Sequence, residues 1–321
     1  MAAPTSTLPP GAIGHSLSRG RRIRNRLAES GMVLALLLAA VPLGAIVVVL
    51  FVKGFSLVTA VDWWTKPIPT NVASNALSSQ AAQDAFGNTG AASTQSVVYG
   101  MQPAIVGTIM ITGLAALMAI PLGVAAAVYL NEYGGSGRVA SVIRFFTDVM
   151  TGVPSVVMGI FIYTIWVLNF GSSGRSAFAG GLALACLMLP VVVRSTEEML
   201  RLVPDTLRQA SAALGTPKWR TTMSVVIPAA LPGITSGAML AVARAAGETA
   251  PILFTVGIVT STNWSIFGQN TTLSQQIYQN ATQPGGESIA WAAALTLIVI
   301  VVVLTVSARF VTSKFSVRVD G

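Results

Sequence analysis

An arginine and a glutamate stand four residues apart in an otherwise apolar stretch of the chain, Leu231 to Val259. In a helix, Arg244 and Glu248 would share one face, because side chains at i and i+4 are neighbours. Gly237 and Ala241 precede them on the same stripe, and small residues allow another helix or a narrow path to come close. An ionised pair inside a membrane is costly and marks a functional site by default. We therefore expect this face to look inward and to carry the function.

The composition places the chain in a membrane. Of its 321 residues, 53% are hydrophobic and only 9% are charged, whereas roughly a quarter is charged in a soluble domain. Such a chain must expose apolar side chains to lipid, so we expect an all-α protein that crosses the membrane several times. The single cysteine, Cys186, cannot form an internal disulfide, and the single histidine, His15, lies in the polar N-terminal tail. Neither residue supports a histidine-rich metal site.

Six apolar runs can be compared with the roughly 20 residues that a helix needs to cross a bilayer. We predict spans at Gly31–Leu57, Gln102–Leu130, Ile143–Leu168, Phe178–Val193, Leu231–Val259 and Ser288–Ala308. The fourth run is the shortest. The chain then divides into a basic tail (1–30), a first helix (31–57), an external loop (58–100), a membrane core (101–312) with an inner loop (204–228), and a C-terminal tail (313–321).

The distribution of lysine and arginine predicts the orientation, because positive residues are retained on the cytoplasmic side. Most of them fall in the two tails and in the second-to-third and fourth-to-fifth connections, while Lys53, Lys66 and Arg175 fall on the outer side. We therefore expect both termini in the cytoplasm. The net charge of +8 is explained by topology and by attraction to anionic lipid, without a nucleic-acid partner. The first run is longer than a signal-peptide core, which favours a retained anchor.

The longest polar interruption on the inner side separates the fourth and fifth spans and predicts a short helix. Pro204 and Asp205 favour a first helical turn, and Gly215 can end the helix in a left-handed conformation. Thr216 would then cap the next helix and Pro217 would begin it. These signals predict a helix, an elbow and a second helix on the cytoplasmic side. They fit an ordinary interfacial helix and a docking element equally well.

The same loop resembles the EAA loop of bacterial ABC-import permeases. The matching positions are Gln209-Ala210-Ser211, Gly215 and Val225-Val226-Ile227-Pro228. Gln209 stands where the family has a glutamate, so an ionic contact made by that glutamate does not carry over. Ser211, Val225 and Ile227 also replace family residues, whereas Gly215 and Pro228 match.

A second resemblance is more specific. The run Ala243–Pro251, which reads Ala-Arg-Ala-Ala-Gly-Glu-Thr-Ala-Pro, resembles the fifth-helix signature of the permease subunits of phosphate-specific importers. Three further motifs follow the family's order, at Ile120–Gly123, Tyr129–Tyr133 and Gly152–Gly159. The resemblance extends from about Met101 to the end of the chain. It implies a bacterial inner-membrane protein with the type I importer permease core of transmembrane helices and a cytoplasmic coupling helix.

The resemblance also implies a complex. A second, related permease subunit would lie beside this chain, a dimer of ATPase subunits that hold ATP and Mg below it, and an extracytoplasmic phosphate-binding protein above it. The chain contains no Gly-Lys dipeptide and hence no Walker A loop, so we expect it to bind no cofactor and to be no enzyme by itself. In such machines the coupling helix sits in a groove of the ATPase. The residues that would couple to the ATPase are Gln209, Ala210, Ser211, Leu214, Gly215, Thr216, Pro217 and Trp219.

Two roles for the arginine–glutamate pair remain open. The Arg244 guanidinium stays charged when desolvated and can hold phosphate through two parallel hydrogen bonds. Glu248 would neutralise Arg244 without phosphate and release it when phosphate enters, which gives transient binding. Alternatively, the pair is a permanent bridge that fixes helix packing. Thr249 and Ser155 would add hydroxyls along the substrate path, although serine in membrane helices commonly bonds its own backbone.

Three other functions compete with a phosphate permease. A permease for sulfate or molybdate would share the loop and the partners but should lack the Ala243–Pro251 run. A secondary transporter would work without ATPase subunits. An intramembrane hydrolase would need a Ser/His pair, paired catalytic aspartates or a set of metal ligands, and the sequence shows none of these.

Overall fold

The computed structural model describes residues 19–69, 100–135, 137–171 and 174–315, and all regular structure among them is helical. Residues 1–18 and 316–321 of the two predicted tails, and residues 70–99 of the predicted external loop, lie outside the described residues. Within the described residues, five helices are long and apolar enough to cross a membrane, or six when one bent pair counts as a single span. The prediction of an all-α, multi-pass membrane protein is confirmed.

The helices follow one another along the chain. Their bounds are α1 Arg19–Val58, α2 Val61–Thr65, α3 Gln102–Val128, α4 Arg138–Gly152, α5 Ser155–Ile162, α6 Ala177–Arg201, α7 Asp205–Ala213, α8 Lys218–Thr221, α9 Ile227–Ala246, α10 Ala250–Thr255, α11 Leu273–Thr282 and α12 Glu287–Phe315. Three short π-helical segments extend α3, continue α5 and join α8 to α9, at Tyr129–Tyr133, Tyr163–Val167 and Thr222–Val226. A short α-helical turn, Leu168–Phe170, follows the second of these segments.

The chain divides into two compact units, Met1–Val52 and Lys53–Gly321. In the first unit, α1 exposes apolar side chains along most of its length, among them Leu36, Leu38 and Val52. A helix that is hydrophobic all round is typical of a membrane span.

In the second unit, α6 lies at the centre and is the most buried of the spanning helices described. Glycines let its neighbours approach closely. A Cβ atom at Gly123 of α3 would lie 2.7 Å from Cγ1 of Val192 in α6, and one at Gly237 of α9 would collide with the side chain of Ser195 in α6. Helix α6 corresponds to the fourth predicted span, Phe178–Val193, but it is longer and reaches from Ala177 to Arg201.

The third predicted span, Ile143–Leu168, is wrong as a single helix. The chain bends by 108° between Arg138–Gly152 and Ser155–Phe170. Proline cannot donate a backbone hydrogen bond, and it forces the preceding residue out of the helical region. Val153, which precedes Pro154, accordingly has φ −73° and ψ 127°.

The fifth predicted span, Leu231–Val259, also differs from the structure. The helix begins at Lys218 and ends at Ala246, and a short helix follows at Ala250–Thr255. Pro251 lies in the first turn of α10, and its ring would clash with the carbonyl of Gly247 if one helix continued through both. Helix α11 was not predicted, because its sequence is too polar to be read as a span.

Candidate functional site

The arginine–glutamate pair lies at the break between α9 and α10. Arg244 is in the last turn of α9, and Glu248 follows the end of that helix. Their side chains form an ion pair, with Nε of Arg244 3.5 Å from Oε1 of Glu248. The sequence predicted the pair but placed it within a continuous helix. A break frees backbone groups that a continuous helix would bind, and such breaks occur where transporters hold their substrates.

The stripe that carries the pair packs within the chain at Gly237 and Ala241 and is exposed at Arg244. That this face looks towards a substrate path stays a prediction. Ala241 is buried among the helices of the chain, and Gly237 packs against α6. The Arg244 side chain is 71% exposed, whereas that of Glu248 is 19% exposed. Arg244 therefore points away from the interior of this chain, where a second subunit or a substrate can reach it.

The structure brings a second helix break beside the first. A Cβ atom at Gly159 of α5 would lie only 2.6 Å from Cα of Pro251 in α10. Ser155 lies one turn before Gly159 on the same side of α5, and its hydroxyl makes no hydrogen bond among the described residues. Thr249 precedes α10 without a side-chain capping bond. The proposed pathway residues thus lie on two neighbouring breaks.

A buried polar cluster on the α11 side of the break was missed by the sequence analysis. Ser274 donates a hydrogen bond from Oγ to the backbone carbonyl of Glu248 at 3.0 Å. The backbone N–H of Leu273 donates to Oγ1 of Thr108 in α3 at 2.8 Å. Gln275 and Gln276 are also buried. Residues 270–276 are all polar except Leu273, and this pattern could have indicated the cluster, since buried amides and hydroxyls require hydrogen-bond partners.

The predicted helix and its stop at Gly215 agree with the structure. Helix α7 ends at Ala213, and Gly215 has φ +75°. The N–H of Gly215 bonds the carbonyl of Ala212 at 2.9 Å, and the N–H of Thr216 bonds that of Ser211 at 3.3 Å. These two bonds form the Schellman motif that a left-handed glycine permits.

The start of the next helix is shifted by one residue. Pro217, with φ −66° and ψ 148°, is the cap of α8, and the helix begins at Lys218. We predicted that Thr216 would be the cap and Pro217 the first helical residue. The proline ring fixes φ near −65°, a value that suits a cap as well as a first turn.

The elbow exposes most of the residues predicted to contact an ATPase. Leu214 is 86% exposed and Trp219 is 61% exposed, and Gln209, Ala210, Gly215 and Pro217 are exposed as well. Ser211 is instead buried, and its Oγ lies 2.8 Å from Oγ1 of Thr221. Leu214 and Trp219 are thus large apolar side chains exposed on an otherwise polar loop.

Ion pairs join the helices on the side of the elbow. Arg208 of α7 bonds Glu132 of the π-helical segment at 2.9 Å. Arg144 of α4 and Arg201 of α6 both bond Glu197 of α6, at 3.3 and 2.6 Å. Arg194 pairs with Asp148 across α6 and α4. The sequence predicts ion pairing of Glu197 with Arg201, which lie four residues apart on one helix. Spacing alone does not identify the partners of Arg144 and Arg208, which lie on other helices.

The sequence also matches known proteins. Residues 119–317 match the family model for the binding-protein-dependent transport system inner membrane component. The phosphate transport system permease protein PstA 1 of Mycobacterium tuberculosis (strain CDC 1551 / Oshkosh) is 42% identical over 304 residues, which cover 93% of this chain and 92% of that protein. The PstA proteins of Mycobacterium leprae (strain TN) and Yersinia pestis are 44% and 41% identical, and cover 89% and 67% of this chain and 87% and 73% of their own length.

Two solved structures share the fold. A bacterial ABC transporter involved in the import of the acidic polysaccharide alginate has a chain with a TM-score of 0.53 and 14% identity, covering 91% of this chain and 99% of its own. The MetNI methionine ABC transporter, in an inward-facing conformation, gives a TM-score of 0.51 and 18% identity, covering 66% of this chain and 93% of its own. These similarities confirm the predicted importer permease fold.

Proposed function

Because the chain belongs to the binding-protein-dependent transport permeases, and within them to the PstA proteins, we propose that it carries inorganic phosphate across the membrane as one subunit of an ATP-driven importer. The observation that carries the proposal is the ion pair of Arg244 and Glu248 at a helix break, within the run that resembles phosphate permeases. A guanidinium can bind two phosphate oxygens at once.

The position of Arg244 supports a path between two subunits. Its side chain is exposed on the surface of this chain, although a charged side chain that faces lipid would be costly. A second, PstC-like permease subunit would cover this surface, so that the path runs between the two chains. Glu248 is largely buried beside Arg244 and would compete with phosphate for the guanidinium. Phosphate would then bind weakly enough to leave the site.

The exposed elbow gives the chain a means of coupling to ATP hydrolysis. Leu214 and Trp219 would dock in a groove of a PstB-like ATPase, because together they offer an apolar contact on a short, capped helix pair. The ATPase subunits would hold ATP and Mg, and this chain would hold neither. A PstS-like protein would deliver phosphate from the outer side. The charge distribution supports cytoplasmic termini and a cytoplasmic elbow.

Uptake of radiolabelled phosphate tests the proposal. Cells that lack this chain are compared with cells in which it is restored, with and without excess sulfate. We expect restoration to recover uptake and sulfate not to compete. If uptake does not depend on the chain while the chain still co-purifies with an ATPase, the substrate assignment is wrong and the importer class is kept.

The same assay tests the site. Arg244→Gln and Glu248→Gln proteins that still assemble should transport phosphate poorly. Normal uptake by both would show that the pair does not act on the substrate. A co-purifying ATPase separates an importer from a secondary transporter.

A further inference from the structure

A buried ion pair joins α7 to the inner end of α3. The side chains of Glu132 and Arg208 are 6% and 22% exposed. Arg208 donates from Nη2 and Nε to Oε1 of Glu132, at 2.9 and 3.3 Å, and Asn131 donates to the same oxygen at 2.9 Å. Removing one partner of such a pair leaves an uncompensated charge with little access to water, which is strongly unfavourable.

The same guanidinium also contacts the end of α6. Nη1 and Nη2 of Arg208 donate to the carbonyls of Val203 at 2.7 Å and Leu200 at 2.9 Å. Nη1 also bonds Asp205 at 3.0 Å, but the Asp205 side chain is 84% exposed, so that contact is weak. Among the described residues, Arg208 makes every hydrogen bond between α7 and the segment Tyr129–Tyr133. One side chain thus connects α3, α6 and α7, and a lysine could not replace its fork of donors.

The segment that receives Arg208 is itself unusual. Tyr129–Tyr133 is π-helical, and short π-helical segments are frequent at functional sites. Arg144 of α4 holds its other side, because it donates to the carbonyls of Leu130 at 3.1 Å and Gly135 at 3.2 Å. The inner end of α3 therefore lies between two arginines from different helices.

The other end of α3 reaches the break at Glu248. Oγ1 of Thr108 in the second turn of α3 accepts a hydrogen bond from the N–H of Leu273 at the start of α11. A Cβ atom at Gly107 would collide with the carbonyl of Thr271. Ser274 of α11 then bonds the carbonyl of Glu248. Helix α3 thus connects the Arg208 contact at one end to the helix break at the other.

We propose that the Glu132–Arg208 pair transmits movement of α7 to α3, and through α3 to the helix break at Glu248. The proposal rests on the proposed function, in which α7 and its elbow dock on the ATPase. Glu132 and Arg208 are positioning residues, because they touch neither substrate nor nucleotide in this arrangement. When the ATPase closes and moves α7, the pair moves α3 with it. Without the pair, α7 moves and the outer end does not follow.

A distance measurement across the outer ends of the helices tests the role of the Glu132–Arg208 pair and does not depend on the identity of the substrate. Spin labels are placed at Asn169→Cys after α5 and Tyr278→Cys in α11, both exposed, with Cys186→Ala to remove the native thiol. The label distance is measured in the complex with its ATPase subunits, without nucleotide and after trapping with ATP and vanadate. We expect trapping to shift the distance in the parent protein.

The Glu132→Gln complex should trap nucleotide to the same extent as the parent complex. Its label distance after trapping should nevertheless stay at the value measured without nucleotide. Asp205→Asn, which removes the exposed partner of the same arginine, should shift as the parent does. The exchange of Glu132→Arg with Arg208→Glu should recover at least part of the shift. If the pair served only assembly of the complex, Glu132→Gln would instead lower both nucleotide trapping and the distance shift.

A full shift in Glu132→Gln, or no shift in the parent, would overturn the proposal. If Glu132→Gln does not assemble, Arg208→Lys is used in its place, because it keeps the charge and loses the bridging donors. A full distance shift in Arg208→Lys would overturn the proposal, and loss of the shift would support it. Phosphate uptake by the parent complex is measured in parallel. A normal distance shift without phosphate uptake would contradict the proposed substrate and leave the role of the pair standing.

Discussion

Gly159 and Pro251 bring the helix breaks at Pro154 and Glu248 into contact. A side chain on Gly159 would meet the backbone of Pro251, because its Cβ would lie 2.6 Å from the proline Cα. The break at Pro154 and the break at Glu248 thus belong to one structural unit, although they are nearly a hundred residues apart in the sequence. This unit holds all four residues that we assign to the substrate path.

The contact predicts that even one methyl group at Gly159 is harmful. In Gly159→Ala, backbone atoms must shift, and overpacking of this kind costs about 1–3 kcal/mol. We expect a lower melting temperature of the purified complex and reduced phosphate uptake. Gly152→Ala is the matched control, since a Cβ there meets nothing within 4 Å. Equal melting temperatures for the two variants would contradict the close packing.

The role of Arg244 predicts that lysine cannot replace it. Lysine keeps the positive charge but offers a point charge in place of two parallel N–H donors. A loss of about 1.4 kcal/mol in binding corresponds to a tenfold change, and we expect Arg244→Lys to raise the KM for phosphate uptake by about that factor or more. Uptake is measured at matched protein levels in the membrane. An unchanged KM would favour a permanent bridge, which lysine can also form with Glu248.

The role of Glu248 predicts a different change in the kinetics. If its carboxylate competes with phosphate for Arg244, then Glu248→Gln should bind phosphate more tightly and release it more slowly. We expect both the KM and the maximal rate of uptake to fall, by at least about threefold if the competition is worth roughly 0.7 kcal/mol. A structural bridge would behave otherwise, because its loss would lower the amount of assembled complex without lowering the KM.

The sequence predicted the membrane spans through their length and composition but not where two of them break. Hydropathy reports how apolar a segment is, and residues 143–168 and 231–259 are apolar on both sides of their breaks. Pro154 and Pro251 were visible, but a proline inside a membrane helix often causes only a kink. Whether the helix bends by 108° or continues depends on neighbours such as Gly159, and those contacts appear only in three dimensions.

In the candidate sites, features that depend on local sequence were predictable, whereas contacts between distant residues were not. The stop of α7 at Gly215 was predictable, because a left-handed glycine after a helix is a local preference. The Arg244–Glu248 pair was also predictable from its spacing. The contact of Glu132 with Arg208 joins residues 76 positions apart. Nothing in the local sequence specifies such a partner.

The exposed elbow predicts a specific loss of ATPase binding. Leu214→Asp places a charge in the proposed apolar contact, and a desolvated charge without a partner is unfavourable. We expect the variant to fold but to co-purify at least about tenfold less ATPase, as an interface loss of roughly 1.4 kcal/mol would give. Leu202→Asp is the control, because Leu202 is also an exposed leucine, near the loop 204–228, but lies outside the elbow. Equal losses in both variants would point to a general effect of added charge.

The bond from Ser274 to the carbonyl of Glu248 predicts that the α11 cluster positions the substrate site. Ser274→Ala removes the donor and leaves a partly buried carbonyl without it, which costs about 0.5–1.5 kcal/mol for one hydrogen bond. Because the break carries the proposed phosphate contact, we expect the uptake rate to fall by about twofold to tenfold while the amount of complex stays the same. Thr282→Ala is the matched control, since the Thr282 hydroxyl lies on the same helix and bonds only carbonyls of that helix. If both alanine variants transport phosphate at the parent rate, the cluster supports α11 alone and the break is positioned by its contact with α5.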